Sequence, residues 1–111
     1  MESIRQQKIA RLLQKEIGDI FNRGEVKPIE GGMLSITGVR VSPDLGIARI
    51  YISIFPSNDH SADLEKVKSQ ASEIRYHLGK RAGKQLRHIP ELHFFIDDSF
   101  DYAEKIDELL K

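Results

Sequence analysis

Apolar residues recur at three- and four-residue steps near the start of the chain: Ile9, Leu12, Leu13, Ile17, Ile20 and Phe21, with Glu16 the one charged member of the stripe. This spacing predicts an amphipathic helix with one buried face. Ser3 followed three residues later by Gln6 reads as the capping box that opens it, and Arg23-Gly24 as its stop, because glycine accepts the positive φ of a helix C-terminus. Val26 to Gly32, with Pro28 and the pair Gly31-Gly32, is a connecting loop. The period then shortens to two. Met33 to Ser42 is a β-branched run whose alternation changes phase at Gly38, which predicts a strand with a bulge there. Pro43 to Gly46 is a turn. Ala48, Ile50, Ile52 and Ile54 alternate with Arg49, Tyr51, Ser53 and Phe55, a second strand with one strongly apolar face. The two strands should form an antiparallel hairpin.

Pro56 to His60 is a loop, Ser61 a candidate N-cap, and Asp63 a favourable charge in the next helix's first turn. Leu64, Val67, Ala71, Ile74, Leu78, Ala82 and Leu86 keep a helical period too long for a small domain, so a break is expected near Ala71-Ser72 or Gly79, with Pro90 ending the segment. Leu92 to Ile96 is a short strand, Asp97 to Asp101 a polar turn, and Tyr102, Ile106, Leu109 and Leu110 suggest a final acidic helix. The order α-β-β-α-(kink)-α-β, with an appended helix, predicts an α+β fold: a three-stranded sheet with helices on one face and the other face open.

Composition narrows the class. A chain of 111 residues without cysteine accommodates one domain and excludes a disulfide scaffold, a thiolate metal site and cysteine catalysis. No apolar run approaches the ~18 residues of a membrane span, and the N-terminus MESIRQQKIA lacks the apolar core of a signal peptide. A soluble cytoplasmic protein is the expectation. The 17 basic and 17 acidic side chains cancel, but unevenly: residues 71–96 carry +3 and residues 97–111 carry −4. Fields act over roughly 8 Å at physiological salt, so this polarity says more about partners than the sum does.

No constellation of residues suggests catalysis. His88 and His93 flank Pro90, which forbids the single continuous helix of a helical zinc motif, and Asp97, Asp98 and Asp101 lack the spacing of a calcium loop. Gly79-Lys80-Arg81-Ala82-Gly83 lies within a helical pattern and lacks the ending of a phosphate loop. No metal, cofactor or small-molecule substrate is expected. A basic face is more informative. On a helical wheel His77, Lys80, Arg81, Lys84 and Arg87 fall opposite Ile74, Leu78, Ala82 and Leu86, with Tyr76 at the edge and Arg75 nearer the apolar side. No carboxylate lies between Ile74 and Ile89 to neutralise them. Cations beside an exposed ring suit an RNA backbone and its bases, so Tyr76, His77, Lys80, Arg81, Lys84 and Arg87 are the candidate RNA-binding residues.

Several strings occur together in this order: Ile36-Thr37-Gly38-Val39-Arg40-Val41-Ser42-Pro43-Asp44-Leu45, Ala48-Arg49-Ile50-Tyr51-Ile52-Ser53, Ile74-Arg75-Tyr76-His77-Leu78-Gly79-Lys80, Leu86-Arg87-His88-Ile89-Pro90-Glu91-Leu92-His93-Phe94 and Asp97-Asp98-Ser99. With them the chain resembles the ribosome-binding factor A family. The resemblance implies one type II KH-like domain over residues 1–111, with an Ala-x-Gly helix kink in place of a phosphate-gripping loop. The matching positions here read Gln70-Ala71-Ser72, and the chain ends in an acidic segment where some relatives carry a basic tail. It further implies a non-enzymatic, cytoplasmic assembly factor that binds the free small (30S) ribosomal subunit late in maturation, near the 5′-terminal helix of 16S rRNA, and aids rRNA processing. A monomer is expected from the residues themselves, because no long uncovered apolar stripe demands a partner. The alternative from the residues themselves is a protein-protein interaction module using the open sheet face or the acidic C-terminal helix.

Overall fold

Ser3 opens α1 (Ile4–Asn22) by the reciprocal bonds of a capping box: its hydroxyl accepts from the Gln6 amide at 3.1 Å and its own amide donates to Gln6 Oε1 at 2.8 Å. The same Gln6 side chain, buried, donates to the Val41 carbonyl at 2.8 Å, so the cap also fixes the helix to the sheet. At the other end Gly24, at φ 72°, completes a Schellman turn in which Glu25 N donates to Ile20 O and Gly24 N to Phe21 O. The computed structural model describes residues 2–97. The predicted acidic helix at Tyr102–Leu110, and residues 98–101 of the polar turn before it, lie outside them.

Strands β1 (Met33–Val41) and β2 (Ile47–Phe55) form the expected antiparallel hairpin, and the register shifts between Ile36 and Gly38, where the bulge was predicted. Thr37, the extra residue, donates its hydroxyl to Asp97 Oδ2 at 2.6 Å. The turn is held by Ser42 and Asp44: the Ser42 hydroxyl donates to Asp44 Oδ1 at 2.6 Å and accepts from Ile47 N at 3.0 Å. Two helices, α2 (His60–Ser69) and α3 (Ala71–Ala82), then carry the chain to β3 (Glu91–Ile96), which pairs parallel with β2. The sheet order is β1-β2-β3.

The core lies between this sheet and the helices. Ala48, Ile50, Ile52 and Ile54 of β2, with Leu92 and Phe94 of β3, meet Leu13, Ile17 and Ile20 of α1, Val67 of α2 and Ile74 and Leu78 of α3. Each of these side chains is nearly or fully buried. The alternation in β2 and β3 thus sends every second residue to the helices and the rest to the opposite face.

Three details differ from the sequence reading. First, Asp59, not Ser61, caps α2, accepting from Ala62 N at 3.1 Å; Asp59 lies just before the helix, whereas Ser61 falls inside its first turn. Second, of the two expected positions for the break, the one near Ala71-Ser72 holds, at the single residue Gln70 (φ −106°, ψ 13°), and the other does not, since Gly79 sits inside α3. The Ser69 hydroxyl donates to Lys66 O and Gln70 N bonds back to Val67 O, so local bonds close α2 without a glycine. Third, the helical period to Leu86 overruns the helix, which stops at Ala82. Leu86 is buried as its spacing demanded, but a turn delivers it: Gln85 N and Leu86 N both donate to Ala82 O. Periodicity reports burial, and Gly79 and Gly83 weaken the helix that would have continued.

Candidate nucleic-acid interface

α3 turns Tyr76 and Lys80 outward together. Tyr76 is 60% exposed, and Lys80 Nζ lies 4.6 Å from its ring centroid. One turn of helix separates the two, so the cation rests on the ring face. The Tyr76 hydroxyl beside it pushes the Lys80 ammonium above the usual lysine range, so the pair is an aromatic unit with a fixed positive charge. The ring of His77 meets that of Tyr76 edge-on at 5.5 Å. Its Nδ1 stands 3.6 Å from Glu25 Oε2, a contact that becomes an ion pair when the imidazole is protonated.

Arg81 is a correction to the basic face. Its guanidinium bonds Glu25 through Nη2 at 2.9 Å and Nε at 3.2 Å, and Glu16 through Nη1 at 3.2 Å, with Asp19 at 3.7 Å. The fork on Glu25 pushes the guanidinium still further above its ordinary range and holds Glu25 below the usual carboxylate range. No carboxylate lies near Arg81 in its own segment. Three arrive from α1 and the turn after it, and Glu16, the charged member of the apolar stripe, is one of them. Arg81 therefore ties α3 to α1, and its charge is compensated locally.

Lys84 and Arg87 are a second correction: both are exposed, but they sit on the 83–89 turn beyond α3, not on a helix face. Arg75 has a structural role, as its place near the apolar side suggested. It donates to Ile89 O at 2.8 Å and Pro90 O at 3.2 Å, anchoring the end of that turn.

The turn borders a groove of about 480 Å³ that the sequence did not reveal. Arg87 and His88 line one side, and Arg5 and Lys8, from the first turns of α1, line the other. Arg5 and Lys8 stand three residues apart on the polar face of α1, but only the fold brings them opposite Arg87. Asp44 is the acidic residue of the groove, and its carboxylate is occupied by the Ser42 hydroxyl and the Gly46 amide, which hold it below its ordinary range. A second hollow, of about 520 Å³ under the 26–34 loop, contains Lys27 and Glu30 as its charged groups. Among the described residues no three His, Asp or Glu side chains gather as a metal ion would require, and His93 faces Glu91 at 3.5 Å. No helix among them is long and apolar enough to cross a membrane.

The family model for ribosome-binding factor A matches residues 5–110. The chain belongs to that family. Among its relatives, the ribosome-binding factor A of Cytophaga hutchinsonii is 48% identical over 99% of this chain and 83% of its own length. That of Flavobacterium psychrophilum is 44% identical over 99% and 85%. The fold agrees with that of the crystal structure of ribosome-binding factor A from Thermus thermophilus (TM-score 0.68, 18% identity, covering 82% of this chain and 94% of that one). A homology model of the Thermus protein, fitted into a cryo-EM map of its 30S complex, superposes with TM-score 0.63 at 17% identity over 88% of this chain and 97% of that one. The Ile74-Arg75-Tyr76 and His88-Ile89-Pro90-Glu91-Leu92 strings fall on α3 and on the approach to β3, where Arg75 joins them.

Proposed function

We propose that this chain binds the free small ribosomal subunit late in its maturation and assists 16S rRNA processing, meeting the 5′-terminal helix region of that RNA through a basic patch. The observation that carries the reading is the run of exposed cations Lys80, Lys84 and Arg87, continued across the groove by Arg5 and Lys8, none of which forms an ion pair among the described residues. Such a patch replaces counterions along a phosphate backbone, while Tyr76 offers a ring to a sugar or base. Arg81 and His77 support the patch from beneath by fixing α3 against α1. The Thermus relative placed in a 30S complex supports the choice of partner. The role needs shape and charge, with no catalytic group and no cofactor, and it belongs in the cytoplasm with the assembling subunits.

The test is co-sedimentation with free small subunits. The combined variant Lys80→Glu, Lys84→Glu, Arg87→Glu should keep its fold and lose association. Association equal to that of the unmodified chain would overturn the reading.

A further inference from the structure

The sheet face turned away from the helices has a composition the basic patch does not explain. In register, Arg40 of β1 lies opposite Arg49 of β2, and Arg49 opposite His93 of β3, one row across all three strands. The next row holds Gly38, Tyr51 and Phe95. The Tyr51 and Phe95 rings are stacked, centroids 5.6 Å apart at 28°, and Phe95 is 41% exposed. Tyr51 is half-buried, and at Gly38, its partner on β1, there is open space where a side chain would stand. Met33 and Phe55, paired further along, are each 71% exposed.

We propose that this face is a second RNA surface, a platform on which unpaired bases of single-stranded RNA stack against Tyr51 and Phe95 while Arg40 and Arg49 hold the adjoining phosphates. Aromatic rings on an open sheet accept any base by its π-face, which is how a surface without base-reading groups holds a single strand. The two rows are about 6.6–6.8 Å apart, two residues along a strand, within the reach of one nucleotide. Charge selects this occupant. Like charges directly opposite each other on a sheet repel, and a polyanion relieves that repulsion. Two carboxylates border the face, and both are engaged: Glu91 lies against His93 at 3.5 Å, and Asp97, beyond Phe95, accepts from the Thr37 hydroxyl at 2.6 Å. A second copy packed face to face would bring a further Arg40-Arg49 pair to the same surface. The proposal uses a different face and a different form of RNA from the basic patch and stands apart from it.

The full-length chain is tested by fluorescence anisotropy with two probes, a short oligouridine that cannot pair and an RNA hairpin. Tyr51→Leu combined with Phe95→Ala should weaken oligouridine binding about tenfold and leave hairpin binding unchanged. Tyr51→Phe and Phe95→Tyr, which keep both rings, should bind as the unmodified chain does. The Lys80, Lys84, Arg87 glutamate variant should lose the hairpin yet keep the ring dependence for oligouridine, so the two surfaces succeed or fail separately. With no substitution at all, photo-crosslinking of thiouridine-containing oligouridine should map to the peptides bearing Tyr51 and Phe95. Crosslinks confined to α1 and the 83–89 turn would overturn the proposal. So would oligouridine affinity that is indifferent to the rings, or self-association abolished by their loss.

Discussion

Glu25 reaches Arg81 and His77 because the chain reverses at Gly24. The Schellman turn places the next carboxylate under α3, so a backbone feature of one helix sets the electrostatics of another. Arg81 lowers the Glu25 carboxyl from its ordinary value of 4.5, and the Ser42 hydroxyl and Gly46 amide do the same to Asp44 from 3.8. In that acidic window the unfolded chain takes up protons that the folded one refuses. The stability these contacts contribute is therefore present above the ordinary values and lost as pH falls through the lowered ones. Urea denaturation across a pH series should show stability declining below about pH 4.5, and Glu25→Gln should flatten that decline while lowering stability at neutral pH.

At the scale of the element, the strands, the hairpin, the bulge and the first helix were legible because period, β-branching and capping residues agreed with one another. The end of α3 was not. Ala82 and Leu86 obey one period, and only the weak propensity of Gly79 and Gly83 hints that the second is carried by a turn. The surroundings of Arg81 were hidden for a different reason: the carboxylates that neutralise it stand 56, 62 and 65 positions away in sequence, and helical spacing says nothing about neighbours brought by the fold. Two substitutions probe these helices. Gly79→Ala, in a helix interior with nothing within 4 Å of the added methyl, should stabilise the protein by about 1 kcal/mol. Ser72→Gly, which supplies the glycine of an Ala-x-Gly kink, should cost no more than about 0.5 kcal/mol because the break at Gln70 already exists. Both are read from denaturant midpoints at unchanged slope.

The whole molecule has a formal charge of zero, yet its cations fall into two kinds. Some are neutralised by neighbours, as Arg81 is, and some face solvent with no counter-charge among the described residues, as Lys84 and Arg87 do. Only the second kind releases counterions on meeting RNA. Charge-removing substitutions should therefore separate them: Lys84→Ala and Arg87→Ala should each reduce the log-log salt slope of RNA binding by roughly 0.7–0.9. Arg81→Ala should leave the slope unchanged and lower the melting temperature.

The parallel pairing of β3 with β2 has a consequence for the order in which the sheet comes together and apart. β1 and β2 are joined by a short turn, so their ladder closes cheaply. β3 joins only after two helices have folded back, a longer loop with a larger closure entropy. The β2–β3 ladder is thus the late seam of the sheet, and backbone amides of 91–96 should exchange with deuterium before those shared by β1 and β2. Tyr51 and Phe95 stack across that seam, so anything that bridges the two rings also fastens the part of the fold that opens first.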